Sequence, residues 1–319
     1  MGKKRRMGET NRMKQMTLNL PSANSYDPNK NTTLIVSFSG GRTSGYMTHR
    51  LLQEKDQWKD IIVIFANTGQ EHEKTLDFIN NCDKHFGFGT VWIEAVHTQE
   101  IGKGVSHKVV DYKTASRTGE PFENAIKKFG LPFSKSPHCT RELKNYPINS
   151  YIKSLGLAKK DYKIAIGIRA DESKRANTTN KQNFIFPLLD ENTDKQDVLD
   201  WWEEQSFNLE IPEHFGNCVW CWKKSYKKLM TVMHEEPNAF NFPERMEKLY
   251  SRNGAVSNKL QKDIKIFRGW KSVQDIREMM NEGFEKYIDL HHLHITNGCE
   301  ESCEPFLDEQ LITIIDDKN

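Results

Sequence analysis

Apolar positions in the first two-thirds of the chain fall into short runs, each closed by a turn or a polar segment. Leu34–Phe38, Ile61–Ala66, Val91–Val96, Tyr162–Ile168 and Phe184–Leu188 have the length and β-branched content of buried strands. Between them the period changes to that of helices. Gly45–Lys55 follows the first run, and Lys74–Phe86 sets Leu76, Ile79 and Phe86 on one face. Glu142–Leu155 is a third helical stretch, with Pro147 placed to kink or divide it. Thr193 or Asp194 caps a fourth, through Glu204, with Val198, Leu199 and Trp202 as its apolar stripe. Strands alternating with helices predict an α/β fold: an open, mostly parallel sheet of about five strands flanked by helices.

Two regions break the pattern. Residues 98–137 collect glycines, prolines and scattered cations, which reads as a loop-rich insertion with one short helix over Glu123–Phe129. Lys103, Lys108, Lys113 and Arg117 there either face an anionic substrate or are ordinary surface residues. From Phe207 onward basic helical pieces replace the alternation, around Lys227–His234, Pro243–Tyr250 and Ser272–Glu282. The expected division is a disordered basic arm over 1–31, a nucleotide-binding α/β domain over 32–206, and a helical, cysteine-bearing extension over 207–319. The arm carries Lys3, Lys4, Arg5, Arg6, Arg12 and Lys14, which suits either contact with nucleic acid or a solvated tail.

Composition narrows the class. With 36% apolar and 28% charged residues and a net charge of +2, the 319-residue chain is neither a membrane protein nor a strongly basic nucleic-acid binder. Met1–Asn31 lacks the apolar core of a signal peptide, which points to a cytoplasmic protein. Six cysteines in a chain of this length do not make a disulfide scaffold; in a reducing compartment they are thiols, metal ligands or redox groups.

The chemistry starts at Ser39-Gly40-Gly41-Arg42-Thr43-Ser44, directly after the first strand. Paired glycines let backbone N–H groups approach an anion, and the next helix aims its N-terminus at the same point. The Gly-Lys-Ser/Thr ending of the kinase and GTPase P-loop is absent. Ser-Gly-Gly-x-x-Ser after a buried strand resembles the pyrophosphate loop of the PP-loop, or adenine nucleotide α-hydrolase-like, superfamily. Within it the phosphoadenosine phosphosulfate reductase family, with its adenylylsulfate reductase branch, is most similar. Asn67-Thr68-Gly69 with Thr75 resembles that family's Asp-Thr-Gly turn and following threonine. Gly167 to Ser173, with Arg169 and Glu172, resembles its Gly-x-Arg-x-x-Glu/Gln-Ser segment, and Pro187 with Asp197 its proline-led strand and next helix. The resemblance covers roughly residues 34–225.

It implies an adenine nucleotide (ATP, adenylylsulfate or phosphoadenosine phosphosulfate) with its phosphate or sulfate end on Ser39, Gly40, Gly41, Arg42, Thr43 and Ser44. Asn67, Thr68 and Gly69 would line the adenosine side. Arg169, behind Gly167, would fork onto anionic oxygens, with Glu172 and Ser173 fixing it or touching the nucleotide; Lys144 and Arg175 are weaker candidates.

Cys218-x-x-Cys221 sets two thiols on one turn, the spacing of a redox dithiol, a half zinc site or part of an iron–sulfur site. The adenylylsulfate reductase branch has cysteines in similar places around a [4Fe–4S] cluster. The resemblance therefore implies Cys139, Cys218, Cys221 and one tail cysteine, Cys303, as ligands, with zinc as the alternative. Cys299 is left as the candidate nucleophile, with a thioredoxin-like dithiol as reductant. Two departures stand against a simple transfer. His138-Cys139 replaces the branch's adjacent cysteines, and its Glu-Cys-Gly-Leu/Ile-His tail is missing. ATP-dependent thiolation of a tRNA base or the DNA backbone, and nucleotide sensing without turnover, are the competing readings.

Overall fold

The computed structural model describes residues 30–98, 100, 104–178, 183–288 and 306. The basic arm, His291, His292, His294, Cys299 and Cys303 lie outside the described residues.

Six strands form one sheet: β1 (Thr33–Ser37), β2 (Asp60–Asn67), β3 (Val91–His97), β4 (Val105–Val110), β5 (Tyr162–Ala165) and β6 (Phe184–Ile185). Their order is β4-β3-β2-β1-β5-β6; β4 alone runs antiparallel. The α/β expectation of a mostly parallel sheet holds. The chain steps outward from β1 through β2 to β3, then returns to the other side of β1 with β5. That reversal is the topological switch point, where sheets of this kind leave a crevice beyond the strands' carboxyl ends.

Alternation along the strands sends side chains to two layers. Leu34, Val36, Val63, Phe65 and Trp92 join one core; Ile35, Ile64, Ala66, Ile93 and Ile164 join the other. The first layer is closed by Met47 and Leu51 of α1 (Arg42–Gln53), Leu76 and Ile79 of α2 (Glu73–Phe86), and Ile126 of α3 (Glu120–Phe129). The second is closed by Ile148 and Ile152 of α4 (Tyr146–Ser154). Pro187 opens the short helix α5 (Pro187–Asp190) and Asp194 caps α6 (Lys195–Glu203), which adds Val198 and Trp202 to the first layer. That layer continues without a break into the extension. It takes in Leu229 of α7 (Tyr226–Glu235), Met246 of α8 (Asn241–Tyr250) and Ile276 of α10 (Val273–Asn281); the short α9 (Ala255–Leu260) lies between the last two.

The structure revises two local expectations and bears out a third. The insertion holds β4, which pairs with β3 from Trp92↔Val110 to His97↔Val105. The fifth predicted strand stops at Ile185, because Pro187 has no N–H for a ladder and its fixed φ suits a first helical turn. Pro147 divides the third helical stretch: a π-helical turn, Arg141–Asn145, precedes α4. No described helix is long and apolar enough to cross a membrane.

Candidate functional site

A cleft of about 230 Å³ opens at the carboxyl end of β1, beside β5. One wall is the predicted loop: Ser39, Gly41, Arg42, Thr43 and Ser44 line it, with Gly167, Arg169 and Glu172 beneath. The loop is held by its own hydroxyls. The Ser39 N–H donates to Ser44 Oγ at 3.2 Å, the two hydroxyls are 3.0 Å apart, and Ser44 Oγ donates to the Gly41 carbonyl at 3.1 Å. Gly41 is the N-cap of α1, yet no side chain caps the helix and no acid sits in its first turn. The positive end of α1 is thus left for an anion from outside.

Gly40 does not line the cleft. Its φ of +80° makes the turn, and a Cβ there would stand 2.8 Å from Thr75 Cγ2 and 2.9 Å from Ile79 Cδ1. Thr75, predicted as part of the second motif, therefore packs behind the first loop.

Arg42 and Arg169 line the cleft with guanidinium groups already engaged. Arg42 Nε donates to Asn208 Oδ1 at 2.8 Å, and its Nη2 donates to the Leu209 carbonyl. Arg169 forks onto Asp171 with two bonds of 2.9 Å and reaches Thr43 Oγ1 at 3.0 Å, so it ties the β5 side to the loop. Burial works against the Asp171 carboxylate, but Arg169's hydrogen bonds and charge outweigh it, and the pKa lies below its ordinary value. Glu172 takes Arg175 Nη1 at 2.9 Å and stands 3.5 Å from Arg169. Ser173 is exposed and is not among the lining residues.

The opposite wall was less legible. Lys195, Val198 and Leu199 of α6, then Leu209, Ile211, Pro212 and Glu213, close the cleft, and Gly216 and Asn217 complete it. Burial raises the Glu213 pKa, but Lys228 at 2.9 Å and Lys195 more than reverse it, so the carboxylate stays charged. Arg175 was an expected anion candidate; Lys195 was missed, and only the apolar stripe of α6 hinted at this wall.

Asn67, Thr68 and Gly69 stand apart from this lining. Asn67 is fully buried and donates to Glu94 Oε1 at 2.6 Å and to the Ser116 carbonyl at 2.9 Å. Glu94, also fully buried, accepts from the Ser116 N–H at 2.6 Å and pairs with Lys108 Nζ at 2.9 Å. Lys108 is thus the counter-charge of an internal carboxylate, placed by the Glu94↔Lys108 register of β3 and β4. Thr68 donates to Glu71 at 2.8 Å. Gly69 abuts Gly119, where a Cβ would come within 2.9 Å of the neighbouring backbone. Lys144 is buried in the π-helical turn.

The cysteine turn is joined to this second loop. Glu71 and Cys218 form an antiparallel bridge, the Val219 N–H donates to the Gln70 carbonyl at 2.9 Å, and Trp220 Nε1 donates to Gln70 Oε1 at 2.5 Å. Cys139 and Cys218 are half-buried and Cys221 is buried. No three His, Cys, Asp or Glu side chains among the described residues are arranged to hold a metal, and Cys303, the fourth expected ligand, lies outside those residues. Cys82 is fully buried in the core, where burial pushes its thiol well above the ordinary range.

Comparison with known proteins agrees with this architecture. The family model for the phosphoadenosine phosphosulfate reductase domain matches residues 33–185, from the start of β1 to the end of β6. The uncharacterized nin region protein ORF290 of Escherichia phage lambda is 33% identical over 280 residues, which cover 85% of this chain and 94% of the phage protein. An uncharacterized 37.8 kDa protein of Escherichia phage 186 is 27% identical over 212 residues, 56% of this chain and 60% of its own length. An uncharacterized protein of Methanocaldococcus jannaschii is 27% identical over 150 residues, 47% of this chain and 25% of its own. With the Ser39–Ser44 loop at the switch point of a matching sheet, the chain belongs to the phosphoadenosine phosphosulfate reductase family of the PP-loop superfamily.

Proposed function

We propose that the protein binds an adenine nucleotide in the cleft between the Ser39–Ser44 loop and α6 and carries out sulfur chemistry on it. The observation that carries this reading is the pairing of two unlike walls. One offers an uncapped helix start with three hydroxyl side chains, Ser39, Thr43 and Ser44. The other offers Val198, Leu199, Leu209 and Ile211, an apolar face on which a purine can stack. The anionic end of the nucleotide lies on the first and the base on the second.

In this reading Arg169 positions rather than binds: it holds Thr43 in place while Asp171 fixes its fork. Arg175 and Lys195 add positive charge at the rim and steer an anionic ligand inward. The reaction class is thiol attack on an activated sulfur. The bond from sulfur to the nucleotide oxygen breaks, and a dithiol donor of the thioredoxin kind resolves the product. Cys299 is the nucleophile of this proposal.

Calorimetric titration with ATP, adenylylsulfate and phosphoadenosine phosphosulfate tests the binding, and sulfite release in the presence of a dithiol tests the chemistry. Binding of a sulfate nucleotide with sulfite release is the expected result. ATP consumption that needs nucleic acid would move the protein to thiolation of a tRNA base or the DNA backbone. Tight binding with no turnover in either assay would make it a nucleotide-sensing partner.

A further inference from the structure

Around α8 and α10 cations hold carboxylates: Arg245 pairs with Glu123, Arg277 with Glu244, Arg252 with Asp263 and Lys265 with Asp275. The turn just before α10 differs. Phe267 and Lys271 pair across it, the Phe267 N–H donating to the Lys271 carbonyl at 2.9 Å and the Lys271 N–H returning a bond of 3.3 Å. Arg268, Gly269 and Trp270 form its tip. Among the described residues no ion pair involves the side chain of Arg268 or Lys271, nor that of Lys135 in a neighbouring turn. The acids nearest Arg268 and Lys271 in sequence, Asp263 and Asp275, are the ones engaged by Arg252 and Lys265.

Trp270 has φ +62°, in the left-handed region, directly after Gly269 at the same φ. Glycine or asparagine suits such a position in a short hairpin loop; a residue as bulky as tryptophan is strained there. The neighbours impose the conformation. Tyr226 Oη donates to the Arg268 carbonyl at 2.5 Å, and Arg268 Nη2 donates to the Lys223 carbonyl. The Trp270 ring meets Phe133 edge-on, with centroids 5.7 Å apart. Phe133 is buried, and its bridge to Ser136 closes the turn that carries Lys135. Trp270 itself is only half-buried, and Arg268 and Lys135 are exposed. An aromatic ring is thus kept at the surface despite backbone strain, with cations before and after it in the chain and a third on the adjoining turn. Strain of this kind persists where the surroundings over-determine it, and it gathers at ligand clamps.

We propose that the Phe267–Lys271 turn and Lys135 form a docking point for single-stranded nucleic acid. An unstacked base lies on the accessible part of the Trp270 ring, and Lys135, Arg268 and Lys271 meet the phosphates beside it. The ring decides the class of partner. An acidic polypeptide would use the three cations and leave the strained tryptophan without a role, and a duplex hides the faces of its bases within the stack. The chain's net charge of +2 gives no general attraction for polyanions, so local groups of cations must supply it. None of these residues lines the nucleotide cleft, and the proposal stands whatever the cleft binds.

The test is fluorescence anisotropy of the full-length protein over a range of salt concentrations. The probes are labelled oligothymidylate and oligouridylate of about 16 nucleotides and a duplex of the same length, with poly-glutamate as competitor. At least one single strand is expected to bind more tightly than the duplex and to resist poly-glutamate; tighter binding of the first probe assigns DNA, and of the second RNA. Trp270→Gly, which suits the left-handed backbone, is expected to lose about tenfold in affinity, and Trp270→Phe to keep most of it. The triple variant Lys135→Gln, Arg268→Gln, Lys271→Gln is expected to lower the slope of log affinity against log salt by about 2. The proposal is overturned if neither single strand binds, if the duplex binds as tightly, or if poly-glutamate displaces the strand. It is overturned equally if Trp270→Gly and the triple variant both bind as wild type does. Should Trp270→Gly fail to fold, the triple variant, which alters only the charged side chains, decides the question.

Discussion

The two glycine turns at the carboxyl ends of β1 and β2 look alike in sequence and do opposite things with their hydrogen-bonding groups. At Ser39–Ser44 the two serine hydroxyls bond each other and the loop backbone, Arg42 and Thr43 bond to Asn208 and Arg169, and the helix that follows starts without a cap. At Asn67–Gly69 the polar groups are spent inside the protein on Glu94, Ser116 and Glu71. The difference lies in what surrounds each turn. The first stands at the switch point, where the chain leaves a crevice; the second is roofed by the 115–119 segment and the cysteine turn. A strand followed by a glycine turn marks where a ligand could bind, and the neighbours decide whether the turn's groups stay available.

The largest effect that tests this contrast comes from the residue that shapes the first turn without touching the cleft. Gly40→Val forces a β-branched side chain to φ +80° and drives its Cβ into Thr75 and Ile79. Backbone strain and overpacking together are expected to remove about 3–5 kcal/mol of stability, measured by urea unfolding. Unfolding unchanged within about 1 kcal/mol would mean that the loop can rebuild and that its shape is not fixed by α2.

Next comes the closed turn. Asn67→Ala removes a donor from the fully buried carboxylate of Glu94. An expected loss of about 2–3 kcal/mol follows from leaving a buried charge short of a partner. Nucleotide affinity of the folded fraction, read by calorimetry, should change less than about threefold, a difference of under ~0.7 kcal/mol. A large loss of affinity with stability intact would reverse the two roles and return Asn67 to the ligand.

How much of this was legible follows from where the deciding information sits. Apolar runs and caps are local, so β1, β2, β3 and the starts of α6 and α10 at Asp194 and Ser272 could be read directly. β4 could not. Val105-Ser106-His107-Lys108-Val109-Val110 is an edge strand with no buried residue, and half of it is polar. Its identity comes from pairing with β3, above all the Lys108–Glu94 contact. The Arg169 fork was expected on a ligand and lies on Asp171, two residues along, because a local carboxylate is always within reach. The apolar wall of the cleft needs α6 and residues 209–213 to converge on the loop, and no period in the sequence encodes that approach.

The segment before the π-helical turn carries a pH signature of its own, away from the cleft lining. His138, 6% exposed beside the π-helical turn, has its pKa lowered from 6.5 to about 4. Burial is the main cause, opposed by its hydrogen bond to the Gly130 carbonyl and reinforced by Arg141 and His97. A histidine held neutral in the fold stabilises above its unfolded pKa, and that contribution drains away as pH falls from about 6.5 toward 4. An expected acid loss on the order of 2 kcal/mol, flattened in His138→Asn, can be followed by thermal unfolding across that window. An identical pH profile in the variant would assign the acid sensitivity elsewhere.

The smallest effect on stability should come from the glycine next to Gly40, and it is the sharpest test of the open turn. Gly41 has φ −98° and ψ 163°, ordinary extended backbone, and a Cβ there would meet only Ser39 Oγ at 3.7 Å. Nothing in the fold requires glycine at this N-cap, and exchanging it for another non-capping residue changes helix stability by about 1 kcal/mol or less. The position lines the cleft, however, at the point where an anion would approach the first amides of α1. Gly41→Val is therefore expected to unfold within about 1 kcal/mol of wild type while losing nucleotide affinity by tenfold or more, at least ~1.4 kcal/mol. Gly41→Ala should fall between the two, because a single methyl intrudes less on the ligand's path. If both variants bind as tightly as wild type, the anion does not rest on this loop, and the two glycine turns differ in burial alone.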